Sequence, residues 1–463
     1  MGLFGTMFVG YSGLFCDSQA MNVIADNVTN LNTTGHKAGR YEFANVMRAV
    51  VGEVFTHGSG YGTEPKGTRW LFAQGGIKTT DIPTDLAILG RGFFVLSDGK
   101  GNIFFTRDGQ FIVNEADEEH FTLQNTAGFF VVGAKPDAER ADLTELNPNL
   151  IPKVMRAKAT SIITSQLNLS SLRPVNAETL LEKYDYTLDP ARPLRDGSYD
   201  WVFEWEVYNS LGEKIELKAY VDRGDDPSTY EILIALADPA KDTRGDGRYK
   251  GAFLYGTLRF GGIGEVTSAE FSQIVDTTGT IEPLDLTETG QPLFVLTANG
   301  LSQEVTLNLG FKVNPDGSIT RLTNQTRLTA NPFSQLYFYQ DGFEEGLFDT
   351  IEVITEEGLI KAVYTNGKDL PVAKLFLADF NGYEESLEKV GGNLFRAKPG
   401  ATPILFAPGA GERGRIMSGM LETSNTDLAQ EMVQLILIQR AFQSNSRVIT
   451  TADQMLEDFL RQR

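Results

Sequence analysis

The side chains best suited to chemistry in this 463-residue chain are three histidines, one cysteine and several neighbouring carboxylates. The histidines His36, His57 and His120 are far apart in the sequence, and Cys16 is the single cysteine. A zinc site built from Cys and His needs several such ligands at short spacings, and a disulfide needs two cysteines. The sequence therefore predicts no metal site and no intrachain disulfide.

A glycine-rich stretch, 409–414, has the G-x-G-x-x-G spacing of dinucleotide-binding loops. Such loops follow a strand and open a helix, whereas here Pro408 precedes the stretch and 415–419 contains another glycine. The adjacent glutamates at 344–345 and 356–357 are in hairpin-like segments, where we expect neighbouring side chains to point to opposite faces. We therefore expect no cofactor, no catalytic residue and no enzymatic activity.

The overall charge excludes two classes of partner. The chain carries 41 Lys and Arg against 61 Asp and Glu, a formal net charge of −20, which repels nucleic acids and anionic membranes. No apolar run is long enough to span a bilayer, so we expect a soluble chain without membrane insertion. The first fifteen residues are apolar but lack the basic start and cleavage site of a signal peptide, so we expect no cleavage. Residues 2–6 also fit the loose myristoylation pattern, an alternative that the longer apolar pattern disfavours.

Long helices are predicted at both ends of the chain, where they would position any surface for assembly. At the C-terminus, apolar residues recur every seven positions, and Asp427 is a candidate N-cap. The predicted helix over 427–463 contains no Pro or Gly and would be roughly 55 Å long. The predicted seam consists of Leu421, Leu428, Leu435, Phe442, Ile449 and Leu456.

The N-terminus has a similar pattern. Its predicted seam consists of Met7, Leu14, Met21, Ile24, Val28 and Leu31, and the helix should end near 30–35, where Asn, Thr and Gly cluster. The two helices are expected to pack together as a coiled coil. They could form a hairpin within one monomer or assemble with other copies. The additional apolar residues Phe4, Phe8, Val9 and Phe15 favour several partners, so we interpret the seam as a polymerisation surface.

Between about residues 70 and 420 the chain is predicted to be rich in β-strands. Short apolar runs alternate with Asp-Gly and Asn-Gly turns, such as 98–99, 299–300 and 366–367, which are typical of antiparallel hairpins. The fold class is therefore mainly β, with middle domains of the barrel or sandwich type and coiled-coil helical termini. The expected domains are a helical terminal domain (1–35 with 425–463), a connector (36–72), an inner β-rich core (73–150 with 356–424) and an outer β domain (151–355).

Several motifs resemble those of the bacterial flagellar rod and hook proteins. The segment 21–37 is similar to the N-terminal signature of that family, and 419–428 and 439–453 are similar to its C-terminal motifs. The internal segments 207–212 and 389–395, together with the chain length, resemble the hook members more than the shorter rod members.

The resemblance implies a non-enzymatic hook subunit that polymerises into a curved, flexible tube and transmits torque from basal body to filament. It also implies export by the flagellar type III apparatus without cleavage, and a location outside the cell. The implied partners are other copies of the chain, rod proteins, hook–filament junction proteins, the hook cap and the export apparatus. Two alternatives remain open at this point, a distal rod protein and a secreted β-rich adhesin.

Overall fold

The computed structural model describes residues 3–46, 62–322, 325–409 and 413–461. His57 and part of the glycine-rich stretch, 410–412, lie outside the described residues. The chain forms two compact units, of which unit 1 comprises 1–153, 348–364 and 368–463, and unit 2 comprises 154–347 and 365–367. The finer division of the chain into helical, connector, inner and outer domains remains a prediction.

Strands dominate both units, and the long helices are at the two ends. The helices are α1 (Leu3–Thr29), α2 (Leu180–Lys183), α3 (Leu286–Thr289), α4 (Tyr383–Ser386) and α5 (Leu428–Arg461), with a 3₁₀ turn at Pro239–Lys241. The first strands, all in unit 1, are β1 (Gly39–Asn45), β2 (Thr63–Trp70), β3 (Ile77–Thr79), β4 (Leu86–Leu89), β5 (Phe94–Ser97), β6 (Ile103–Thr106), β7 (Phe111–Glu115), β8 (His120–Asn125), β9 (Phe130–Gly133), β10 (Asn147–Pro148) and β11 (Leu150–Pro152).

Unit 2 contains the next group of strands. They are β12 (Val154–Met155), β13 (Ile162–Ser170), β14 (Trp201–Tyr208), β15 (Lys214–Arg223), β16 (Thr229–Leu236), β17 (Ala252–Phe260), β18 (Val266–Ile274), β19 (Ile281–Pro283), β20 (Leu293–Ala298), β21 (Leu301–Asn308), β22 (Phe311–Val313), β23 (Ile319–Arg321), β24 (Arg327–Thr329) and β25 (Ser334–Gln340). The last group is β26 (Gly346–Ile354), β27 (Leu359–Tyr364), β28 (Asp369–Lys374), β29 (Leu377–Asp379), β30 (Leu387–Gly391), β31 (Leu394–Ala397), β32 (Ile404–Phe406), β33 (Arg415–Ser418) and β34 (Met420–Glu422).

Unit 2 contains the antiparallel hairpins that the turn signals predict, although β13 also pairs in parallel with β21 and with β24. Six strands, β14 to β19, pair with their sequence neighbours in one antiparallel sheet. In a second sheet, Asn299 and Gly300 form a two-residue turn between β20 and β21, with positive φ of 52° and 78°. Such turns need residues that tolerate a left-handed backbone, which is why Asn-Gly is favoured there. Buried side chains from both sheets, including Trp205 and Phe294, form one core.

The β part of unit 1 has a core filled by aromatic rings. Its largest sheet has the strand order β11-β8-β9-β5-β6-β31-β30, so the chain segments before and after unit 2 share one sheet. Phe93, Phe105, Phe380 and Phe395 are buried together, and the rings of Phe105 and Phe380 meet edge to face at 4.9 Å. The expected fold class is confirmed, because the chain is mainly β and its terminal helices pack on each other.

The C-terminal helix begins where its sequence predicts. The carboxylate of Asp427 accepts hydrogen bonds from the backbone N–H groups of Ala429 (2.8 Å) and Gln430 (3.2 Å). These bonds satisfy donors that have no partner within the first turn of a helix. The prediction of Asp427 as the N-cap is confirmed. With 34 residues, α5 is about 51 Å long.

Candidate assembly surface of the terminal helices

Small residues let the two terminal helices approach closely. A Cβ atom added to Gly10 would lie 2.8 Å from Cγ1 of Ile449, and one added to Gly13 would lie 2.5 Å from Nδ2 of Asn445. Both distances are too short for real side chains, so the backbone of α1 lies directly against α5 at these positions. Along the same stripe of α1, Ala20 and Ile24 are also buried. This stripe has the three- and four-residue spacing of one helix face.

Polar contacts fix the register of the helix pair. The Asn445 amide donates to the Asp17 carboxylate at 2.9 Å, and the Asn27 amide donates to Glu431 at 3.0 Å. Asn27 also pairs with the backbone of Gly39 at the start of β1, accepting from its N–H and donating to its C=O, both at 2.8 Å. Burial raises the pKa of Asp17, while the hydrogen bond from Asn445 opposes that effect. Sliding one helix along the other would break both the Asn445–Asp17 and the Asn27–Glu431 hydrogen bonds and leave partly buried polar groups without partners.

The residues of the predicted N-terminal seam differ in burial, and Leu31 lies beyond the end of α1 at Thr29. Ile24 is buried, whereas five residues are only half-buried: Met7, Leu14, Met21, Val28 and Leu31. The apolar spacing missed the stripe of Gly10, Gly13, Asp17 and Ala20, because small and polar residues carry no hydrophobic signal. The role of the predicted seam in polymerisation remains a prediction.

The predicted C-terminal seam is likewise divided. Leu421 is buried on β34, where it pairs with Lys78 of β3, so the seven-residue spacing within α5 starts one repeat later. Half-buried positions on α5 are Leu435, Ile449 and Leu456. Leu428 and Phe442 are exposed. The seam residues thus differ in how much surface the intramolecular pair leaves uncovered.

One face of α1 stays open after the helices pair. Phe4, Phe8, Tyr11 and Phe15 expose 78%, 56%, 63% and 45% of their surfaces. Their spacing of four, three and four residues places them in one row, the aromatic stripe of α1. The described part of α1 before Cys16 contains no charged side chain. Tyr11 was not identified from the sequence, although the same spacing contains it.

A second uncovered apolar surface runs along α5. We call it the outer face of α5, and its exposed residues are Met432, Val433, Ile436, Leu437, Val448, Met455, Phe459 and Leu460. Scattered exposed apolar residues are ordinary on a protein surface, but a row such as the aromatic stripe of α1, next to a second helix with many exposed apolar residues, is typical of interaction sites. The helix pair can therefore bind further apolar surfaces.

The described residues offer little else for chemistry. Among them, no three His, Cys, Asp or Glu side chains are placed to hold a metal ion. Cys16 is buried on α1, and His36 is buried just after it. At the start of β8, Nδ1 of His120 lies 3.0 Å from the Asp117 carboxylate. No helix in the described ranges has the length and apolar character needed to cross a bilayer.

Four family models match successive parts of the chain. Residues 7–37 match "Flagella basal body rod protein", and 87–163 match "Flagellar hook protein FlgE/F/G D1 domain". Residues 168–343 match "Flagellar basal body protein FlaE D2 domain", and 417–462 match "Flagellar basal body rod FlgEFG protein C-terminal". The matches at the two ends cover both terminal helices.

Relatives of similar length match from end to end. The chain is 28% identical to the flagellar hook protein FlgE of Treponema pallidum (strain Nichols), with 98% of each chain covered. It is 29% identical to FlgE of Brucella suis biovar 1, covering 99% of this chain and 98% of the relative. The crystal structure of Helicobacter pylori flagellar hook protein FlgE2 aligns with a TM-score of 0.46 at 16% identity, covering 75% of this chain and all of the other. The sequence relatives and family models together show that the chain belongs to the flagellar rod and hook family, as a flagellar hook protein.

Proposed function

We propose that this hook protein polymerises through its terminal helices, and that the resulting curved, flexible tube transmits torque from the basal body to the filament. The aromatic stripe of α1 is the observation that carries the proposal. Its four rings stay exposed although α1 is already packed against α5. Water exposure of such a row is unfavourable, so its burial between copies would drive association.

Copies of the chain can form a polymer if each contact joins two different surfaces, one from each copy. The aromatic stripe of α1 and the outer face of α5 are two such surfaces on one helix pair. When the stripe of one copy binds the outer face of the next, each added copy presents the same unoccupied surface again. Contacts of this type produce open helical assemblies. In this arrangement the half-buried seam residues, such as Met7, Leu14 and Leu456, would lose their remaining exposure.

The mechanical role follows from the different character of the surfaces. We expect tight apolar contacts between terminal helices and weaker, hydrated contacts between the β parts of neighbouring copies. Polar, water-filled contacts can shift with less loss of packing than interdigitated apolar ones. Subunits could then change their spacing along the tube as the hook bends.

The remaining parts of the proposal rest on family membership. Hook proteins are a structural family that is not known to be enzymatic, and we propose that this chain has no catalytic activity. The chain would be exported without cleavage by the flagellar type III apparatus and would act outside the cell. Beyond its own copies, its partners would be rod proteins, hook–filament junction proteins and the hook cap.

Electron microscopy of the purified full-length chain after salt-induced assembly tests the proposal. We expect curved tubes, and straight tubes would instead indicate a rod protein. A chain lacking 428–463 should remain folded but monomeric, because it has lost the outer face of α5. Tube formation by that truncated chain would contradict the role given to the helices.

A further inference from the structure

Three charged side chains are buried together in unit 1, where the chain leaves α1 and approaches α5. We call them the Glu422 cluster. Nζ of Lys37 lies 2.6 Å from Oε1 of Glu422, and Nη1 of Arg107 lies 3.2 Å from Oε2. The side chains of Lys37 and Glu422 are completely buried, and that of Arg107 is 3% exposed. Each carboxylate oxygen therefore has its own cation.

Backbone groups add further hydrogen bonds to the cluster. The N–H of Gly75 donates to Oε1 of Glu422 at 2.8 Å. Lys37 donates to the carbonyl of Ala73 at 2.8 Å, and Arg107 donates to the carbonyl of Gly90 at 2.6 Å. These contacts disperse the charges over fixed dipoles, which is the arrangement that buried ions require.

The cluster joins segments that are distant in sequence. Lys37 follows α1, Arg107 follows β6, and Glu422 ends β34 shortly before α5. Backbone hydrogen bonds reinforce the junction, since the N–H of Gly35 donates to the carbonyl of Glu422 at 2.7 Å. The Ala38 N–H donates to the Asn425 side chain, also at 2.7 Å. Both chain ends are therefore held at one place on the β core of unit 1.

The charge balance makes partial formation of the cluster unfavourable. Two cations and one anion leave a net charge of one positive unit in a site that excludes water. Without Glu422, two cations would be buried without a counterion. Without the N-terminal segment, Glu422 would lose Lys37 and the cover that excludes water. Breaking a buried ion pair by removing one partner is strongly destabilising, because the other charge stays uncompensated.

We propose that the Glu422 cluster couples the two chain ends, so that the segments 35–38 and 422–425 dock onto the β core of unit 1 in one cooperative step. Docking of either segment requires the other. The direction of α1 as it leaves the core and the position at which α5 begins are then set together. This coupling is a property of the single chain and does not depend on assembly.

Hydrogen exchange on the full-length chain, at concentrations below assembly, tests the coupling. In E422Q, we expect the amides of Gly35, Ala38, Gly75 and Thr423 to exchange about a hundredfold faster than in the unaltered chain. Amides in unit 2 should keep their rates. The control E115Q alters an ion pair with Lys153 that is exposed on the Glu side, and should leave all these rates unchanged.

The variant K37M keeps the Arg107–Glu422 pair and tests the coupling from the other end of the chain. It should accelerate exchange at Thr423 as well as at Ala38, and it provides the test if E422Q fails to fold. In the double variant K37M/E422Q, the second substitution should add little to the first. Acceleration confined to the segment carrying the substitution, or single effects that multiply in the double variant, would overturn the proposal.

Discussion

Replacing Phe8 with alanine separates assembly from the stability of the single chain. Phe8 lies in the middle of the aromatic stripe of α1, and 56% of its surface is exposed after the helices pair. The substitution F8A removes that apolar surface without adding a charge. We expect polymerisation to weaken strongly while the monomer keeps its thermal stability.

The expected size of the effect follows from the exposed area. An aromatic side chain has about 200 Å² of surface, so Phe8 has about 110 Å² left to bury in an assembly. At about 25 cal/mol per Å², complete burial would contribute about 3 kcal/mol per subunit. That free energy corresponds to an increase of about a hundredfold in the critical concentration for polymerisation.

The assay is sedimentation of tubes over a range of protein concentrations, with thermal unfolding of the unassembled chain measured in parallel. The matched control F8L keeps most of the apolar surface and should raise the critical concentration less than about tenfold. Both variants should unfold within a few degrees of the unaltered chain, because substitutions at exposed positions rarely change stability by more than about 0.5 kcal/mol.

Two results would refute this reasoning. An unchanged critical concentration in F8A would show that the aromatic stripe is not part of the contact between copies. A large loss of thermal stability in the unassembled F8A chain would show that Phe8 stabilises the monomer, as an intramolecular helical hairpin predicts.

Three further predictions concern the single chain. In G13L the added side chain would clash with Asn445, so the helix pair should lose about 1–3 kcal/mol in chemical denaturation followed by circular dichroism, unlike the control A25L at an exposed position of α1. Burial, with a smaller contribution from Lys389, lowers the pKa of His36. As the pH falls below about 6.5, the unfolded chain binds a proton at this residue more readily than the folded chain, so the folded state loses stability. The substitution H36F should therefore reduce the fall in Tm on acidification. Burial raises the pKa of Asp108 to about 6, so the stability that protonated Asp108 gives the folded state is lost as the pH rises from about 4 through 6. The substitution D108N should reduce this loss of stability with rising pH. For H36F or D108N, a pH profile of Tm equal to that of the unaltered chain would contradict the prediction.

The local features of the fold could be predicted because their signals lie within a few residues. The heptad spacing and the Asp427 cap predict α5, and Asn299-Gly300 predicts a hairpin turn that the structure contains. The exposure of Phe4, Phe8 and Phe15 was also expected, because a single partner helix cannot cover apolar residues on all sides of α1.

The packing of α1 could not be predicted in the same way. Hydrophobic spacing selects large apolar residues, but the closest approach to α5 occurs at Gly10 and Gly13. These glycines matter for packing because Ile449 and Asn445, from the other end of the chain, lie where a side chain would be. Leu421 shows the opposite failure of the pattern. It lies seven residues before Leu428 and so fits the helical spacing, but the chain there forms β34.

By itself, the sequence determined that this chain has helical ends, a β-rich middle and the motifs of a flagellar hook protein. Those properties depend on periodicity, turn residues and local motifs, which can be recognised without knowing which segments meet. Only the tertiary structure decided which face of α1 is covered and that Lys37, Arg107 and Glu422 are buried together. Their separation along the chain leaves no local pattern, because a buried ion cluster is defined by distances between atoms and by the exclusion of water around them.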